Sequence, residues 1–490
     1  MAQRESLVSF TGLLSITLIL TALRLYYLQF EPHNLYADEA QYWTWSKQPD
    51  FGYYSKPPMV AWLIALTTHY CGDTIFCIKL ASPLLHGLTS LLVFGIGQRL
   101  FGVTEGFWSG LTYLLLPAVT LSSTLISTDP ALLFFWALAL YCFIRALEGW
   151  HDKWWMLTGI AVGLGLMSKY TMIFFLVSAF WYMLTTNEGR ITLRTVPPWF
   201  GVVFALLIFF PNVLWNEGHD FVSFGHTADN ANLHGFTVHF VNMMEFLAGQ
   251  LGVFGPILFI VLAYLLAHIR PLFRNENYRM LLCFILPFLA VIILLSLLSR
   301  AHANWAAPIY IPATILVVSW ALRQGKQWII TTTLALHLLI AGGFHLFDTI
   351  LKITHVPLSA SYDPFRRVRG WETFGAQVTG LLLSHPNTVL VSDERKVVAQ
   401  LMYLLRLQDG TPYTVLKWNA DHITQDHYDL TTDLNAYKGY DMLFITRSED
   451  ASKLFPYFTK AEPVAVLKPE HYDDPKREFD VYYLTHFKGY

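Results

Sequence analysis

Three short polar segments lie beside apolar runs and carry the residue types that acid–base and anion chemistry need. The first, Tyr36-Ala-Asp-Glu-Ala-Gln-Tyr-Trp43, sets Asp38 next to Glu39. Neighbours on a helix diverge by roughly 100°, so the two carboxylates cannot aim at one atom and would take different roles, one on the reacting group and the other on a second ligand. The plainer alternative is capping of a helix N-terminus. The second, Tyr53-Tyr-Ser-Lys-Pro-Pro58, holds Lys56 ahead of two prolines. Proline restricts the residue before it to extended backbone, so the ammonium sits on a stiff piece of chain, as a phosphate site requires; an interfacial lysine that only snorkels has the same composition. The third, Ser127-Thr-Asp-Pro130, puts Pro130 in the first turn of a helix with Thr128 or Asp129 as its cap. Capping alone would account for Asp129.

Further cations are Lys169, in the turn between two short apolar runs, and Arg300, in Arg300-Ala-His-Ala-Asn-Trp305 with His302 and Asn304. A polar loop from Gly218 holds His226 and Asp229 three positions apart, followed by His234 and His239. On a helix that spacing places His226 and Asp229 on one face, as a divalent metal pair would need, yet it is common by chance. A polar interfacial loop is the simpler reading.

The elements that must position these residues are apolar runs long enough to cross a hydrocarbon core of roughly 30 Å. Eleven occur, near Leu7–Phe30, Ser82–Leu100, Phe107–Ser127, Ala131–Leu147, Trp154–Met167, Thr171–Thr185, Pro198–Trp215, Phe246–Ala267, Met280–Leu298, Ala306–Leu322 and Trp328–Phe347. The chain of 490 residues is 54% hydrophobic and 14% charged, and half of its charged residues fall in the last 141. That asymmetry predicts a lipid-solvated body over 1–349, with outer loops 31–81, 216–245 and 300–305, and a water-solvated tail over 350–490. A formal net charge of −2 leaves no basic excess for a nucleic-acid backbone. With the N-terminus in the cytoplasm, Lys and Arg concentrate in the inside loops, and the outside ones hold only Lys47, Lys56, Lys79, Lys169 and Arg300. The odd number of spans then places the tail outside, in the periplasm of a two-membrane bacterium. Asp38, Lys56, Asp129, Lys169 and Arg300 share that outer face.

The tail reads as a small α/β domain. Strands are expected at Thr388–Val391, Met442–Thr446 and Asp480–Leu484, with a helix over Glu394–Leu407. No glycine-rich phosphate fingerprint follows them. Cys71 and Cys77 share an outside loop and are open to either a disulfide or two buried thiols.

Asp38-Glu39, Tyr54-Ser-Lys-Pro-Pro58 and Thr128-Asp-Pro130, in this order and on one membrane side, resemble the membrane glycosyltransferases that use polyprenyl-phosphate-linked sugars. These are family 39, the protein O-mannosyltransferases, and the related bacterial aminoarabinose transferases of lipid A. The resemblance implies a GT-C fold of about eleven transmembrane helices and an inverting transfer of one hexose or pentose from undecaprenyl phosphate. Lipid A or lipopolysaccharide core is the implied acceptor, a glycolipid in either case, and protein is the alternative. It implies Asp38, Glu39 and Asp129 as catalytic residues and Lys56, Lys169 and Arg300 as binders of the donor phosphate. Tyr54, His226, Asp229, His302 and Asn304 would line donor or acceptor loops. Ser55 stands where the aminoarabinose transferases have Glu, which leaves a divalent metal, with His226 and Asp229 as its candidate ligands, without one expected partner. A polytopic transporter or flippase is the rival of another class; carriers keep their charged residues near mid-membrane, often in repeated halves, and neither pattern is present.

Overall fold

The computed structural model describes residues 8–30, 33–149, 152–231, 238–447, 451–468 and 478–490. Two compact units are evident. One comprises residues 1–29, 56–60 and 79–350, and the other residues 30–55, 61–78 and 351–490.

The first unit is helical. Among the described residues seven helices are long and apolar enough to cross a membrane: Phe10–Phe30, Ile75–Leu100, Thr128–Glu148, Pro197–Glu217, Glu276–Leu298, Ala303–Arg323 and Gln327–His345. Among the described residues these seven correspond to seven of the eleven expected runs; the other four hold shorter helices, and two of those four are broken. The run expected over 107–127 is two helices, Val103–Leu114 and Pro117–Ser122, because Leu116 takes the extended backbone that a following proline imposes. The run over 246–267 divides into Phe240–Val253 and Pro256–Ala267 at Gly255, whose φ of +93° lies in the region glycine tolerates. A Cβ there would also lie 2.0 Å from His337 Nε2. Pro211 and Pro287, by contrast, sit inside intact helices, which a lipid-facing helix accepts when neighbours satisfy the freed carbonyl.

Lipid cannot drive these helices together, so close backbone packing must. Helix Asp152–Leu166 meets Pro197–Glu217 through Gly159, where a Cβ would fall 2.0 Å from the Gly201 carbonyl oxygen, and Gly163, where it would meet Ile208 at 2.7 Å. The outward faces carry exposed Leu18, Leu206, Leu207 and Phe210. Buried polar side chains tie the first spans to the break at Leu115–Leu116. Arg24 donates to the Leu114 carbonyl at 2.5 Å, His86 bonds the Tyr113 hydroxyl at 3.1 Å and Ser122 Oγ at 3.0 Å, and Ser82 donates to Leu125. These contacts fix the chain that enters the Thr128 helix.

The second unit contains a five-stranded sheet of order β2-β1-β3-β5-β4, with β1 Val389–Ser392, β2 Val415–Lys417, β3 Met442–Thr446, β4 Lys460–Leu467 and β5 Phe479–Thr485. β1 pairs in parallel with β2 and β3, while β5 runs antiparallel to β3 and β4. β3 is buried throughout, as a central strand of hydrophobic Met442-Leu-Phe-Ile must be. Helix Arg395–Leu404 crosses from β1 to β2 and packs on helix Ala37–Ser46. Gln400 donates to the Leu35 carbonyl at 2.7 Å, Tyr403 to the Asp73 carbonyl at 3.3 Å, and Trp43 Nε1 to Asp73 at 2.6 Å. Cys71 and Cys77 form a disulfide.

In this unit His427 lies among Trp45, Tyr53 and Tyr428. Burial pushes its imidazole down to about 4, and its Nδ1 has no hydrogen-bond partner among the described residues. The unfolded chain binds a proton at this histidine near pH 6.5 and the folded chain does not. Stability is therefore present above pH 6.5 and falls as the pH drops towards 4, by roughly 3 kcal/mol at most. Asp393, Glu394 and Asp429, whose carboxyls burial pushes up, act in the opposite sense. The quantity to measure is thus the difference between native and His427→Phe chains in urea melts at pH 7 and pH 5; the native chain is expected to lose more stability on acidification than the variant.

Candidate active site

Asp129 is the centre of a fixed polar cluster in the first unit. Ser127 caps helix Thr128–Glu148 by accepting the Asp129 amide at 3.3 Å, so the cap is neither Thr128 nor Asp129. The Asp129 carboxylate is thereby released for other partners. Its Oδ1 accepts Lys169 Nζ at 2.7 Å and its Oδ2 accepts Asn304 Nδ2 at 2.8 Å. Lys169 occupies the turn that opens the 3-10 segment Tyr170–Met172 and helix Ile173–Thr185, and Asn304 lies at the start of Ala303–Ile309. Three separate segments therefore bring one side chain each to the cluster.

Lys56 joins the same cluster. Its charge acts on Asp129, and three residues on the Met59 amide donates to the Met167 carbonyl at 3.0 Å, tying the proline-braced segment to the turn that holds Lys169. A cavity beside the cluster is lined by His86, Tyr113, Ser122, Asp129, Asn304 and Tyr310. With both oxygens engaged, Asp129 is suited to holding Lys169 and Asn304 in place rather than to accepting a proton.

The second unit holds Asp38 and Glu39. Glu39 is buried, and its Oε2 accepts the Tyr36 amide at 2.8 Å, the helix-capping role that the sequence left open. Asp38 is exposed on the same helix, and its Oδ1 accepts Arg395 Nη2 at 2.8 Å.

The arrangement has clear relatives. Residues 55–215, which include Lys56, Asp129 and Lys169, match the family model described as dolichyl-phosphate-mannose-protein mannosyltransferase. The chain is 34% identical over 439 residues to the lipid A galacturonosyltransferase RgtD of Rhizobium johnstonii, covering 89% of this chain and 90% of that one. The chain belongs to the GT-C membrane glycosyltransferases. Over 40% of its length it is 27% identical to 39% of an undecaprenyl phosphate-alpha-4-amino-4-deoxy-L-arabinose arabinosyl transferase of Pseudomonas fluorescens. Its fold matches ArnT from Cupriavidus metallidurans bound to undecaprenyl phosphate, with a TM-score of 0.60, 15% identity, and coverage of 96% of this chain and 98% of that one.

In this glycosyltransferase Arg300 forms no hydrogen bond or ion pair with Asp129, Lys169 or Asn304 among the described residues. Arg300 is exposed and has no ion pair among the described residues, at the end of a segment pinned where Asn242 donates to the Ser299 carbonyl. His302 is exposed and packs edge-on to Trp305. Tyr54 is half-buried. His226 and Asp229 share helix Val222–Ala231, but among the described residues no group of three or more His, Cys, Asp or Glu side chains could hold a metal ion. His234 lies outside the described residues. Sequence reading missed Arg395, whose place in an amphipathic helix reads as a solvated face, and it missed the role of Asn304 as a partner of Asp129.

Proposed function

We propose that this glycosyltransferase moves one galacturonic acid residue from undecaprenyl phosphate to lipid A on the periplasmic face, with inversion at the sugar carbon. The observation that carries the reading is the Lys169–Asp129–Asn304 cluster, within a chain similar along nearly its whole length to a lipid A galacturonosyltransferase. The bond from the phosphate oxygen to the sugar carbon breaks, a bond from the acceptor oxygen forms, and undecaprenyl phosphate leaves with the electron pair. Negative charge grows on that leaving phosphate. Lys169, held at a set position by Asp129, and Lys56 stabilise it, more strongly in a water-poor cavity than in bulk water. Arg300 is assigned to the donor's remaining anionic groups, since a uronic acid adds a carboxylate to the phosphate. Asp38 accepts the proton of an acceptor hydroxyl.

The test is transfer by the purified protein in lipid nanodiscs, given undecaprenyl-phosphate galacturonic acid and lipid A. The expected product is lipid A heavier by one uronic acid. Equal use of an aminoarabinose donor, or label moving to protein and not to lipid A, would overturn the sugar or the acceptor respectively.

A further inference from the structure

We propose that Arg395 is a positioning residue for the transfer reaction, holding the Asp38 carboxylate in the orientation that receives the acceptor proton. The proposal rests on the reading of Asp38 as the base. Arg395 opens the helix that directly follows β1, at the C-terminal edge of the parallel strands, where α/β sheets present side chains to ligands. There its guanidinium is turned onto helix Ala37–Ser46. Nη2 donates to Asp38 Oδ1 at 2.8 Å and Nη1 donates to Gln41 Oε1. Asp38 and Gln41 are three apart, on one face of the helix, so the planar fork spans one turn and fixes the carboxylate in rotation as well as distance.

Both ends of the fork are anchored. Gln41 is buried, and the helix of Arg395 is bonded to Leu35 and Asp73 through Gln400 and Tyr403. Asp38 is different: it is the exposed member of a helix in which Glu39, Ala40, Gln41, Tyr42 and Trp43 are buried, and its side chain is 60% accessible. An ion pair so open to water adds little stability. What it does add is orientation, and among the described residues Asp38 Oδ2 accepts no hydrogen bond, which leaves that oxygen for the incoming proton. The other titratable groups in this neighbourhood are Tyr42 on the same helix and Tyr428 and Asp426 from the C-terminal segment, while Glu39 is turned back to the Tyr36 amide.

The experiment compares native protein with Arg395→Gln, Arg395→Lys, Asp38→Asn and the double variant D38N/R395Q, as full chains in nanodiscs, using the donor and acceptor named above. For Arg395→Gln, kcat is expected to fall about ten- to a hundredfold with donor KM unchanged. Arg395→Lys should recover part of the rate, and the double variant should be no slower than Asp38→Asn. Native kcat in Arg395→Gln, with Asp38→Asn inactive, overturns this proposal alone. So does an equal further loss when Arg395→Gln is added to Asp38→Asn. A fully active Asp38→Asn overturns the base assignment and the proposal with it. Gln41→Leu, which removes one arm of the fork and neither charge, should show an intermediate kcat; a native kcat there overturns the proposal even should Arg395→Gln fail to fold.

Discussion

Replacing Lys169 by Met is expected to lower kcat for transfer by about 10²–10³, the range seen when one fixed donor to a developing anion is removed. The reason lies in where the lysine sits. Its ammonium is 2.7 Å from a carboxylate whose other oxygen is taken by Asn304, so it needs no reorganisation as the phosphate gains charge. Removing it also leaves the Asp129 side chain, only 13% accessible, without that partner, and a structural loss could imitate a chemical one. The double variant Lys169→Met/Asp129→Asn separates them. Because it removes the orphaned charge, its unfolding temperature should return towards native while kcat stays as low as in Lys169→Met. Asp129→Asn alone keeps the lysine and loses only its tether, so a smaller loss, of about tenfold, is expected. Single-turnover transfer with the donor in excess reads all three. Lys169→Met retaining a third or more of native kcat would remove Lys169 from the phosphate site.

Asp38→Asn is expected to have an effect of similar or greater size, for a different reason. An attacking hydroxyl has a pKa far above 7, and a carboxylate placed to take its proton contributes about 10²–10⁴ in rate. Asparagine keeps the shape and the hydrogen bond from Arg395 Nη2 but cannot take the proton. If the acceptor group on lipid A is instead a phosphate, already ionised, no base is required. Asp38→Asn then costs less than Lys56→Met does. The ranking of those two variants, measured on one acceptor preparation, reports which acceptor atom attacks.

Much of the fold was legible because lipid imposes a long apolar run wherever a helix crosses it. Seven of the eleven expected runs hold a helix long and apolar enough to span, and the two that are broken divide at residues preceding Pro117 and Pro256, where the missing amide and the ring restrict the backbone. An average hydropathy over a window does not register one dihedral. The 13-residue helix Met59–Cys71 inside the expected loop 31–81 fell below the length a span needs. In the tail, β1, β3, β5 and the crossover helix were visible as hydrophobic patterns. Strand β2 is three residues long and β4 is largely exposed, so neither carried enough periodicity to be read.

The site divides in the same way. Asp129 and Lys169 stood out because a charge beside an apolar span needs a partner, and they are each other's partner. Which residue capped the Thr128 helix depended on a choice among Ser127, Thr128 and Asp129 that composition does not decide. Arg395 was hidden because its partner Asp38 lies 357 positions earlier, and nothing local marks such a pairing.

The pairing of early and late chain within one folded unit has a consequence for how the protein is made. Helix Ala37–Ser46 leaves the ribosome long before Arg395–Leu404, yet Trp43 and Tyr403 pack edge to face, with ring centroids 5.1 Å apart, and Leu35 and Trp45 are almost wholly buried in the finished molecule. Until the last segment is made, those indole and leucine side chains must wait without their cover. A gene truncated after the final span therefore produces a chain with an unfinished N-terminal loop as well as a missing tail, and inactivity of such a product says nothing about whether the tail binds an acceptor.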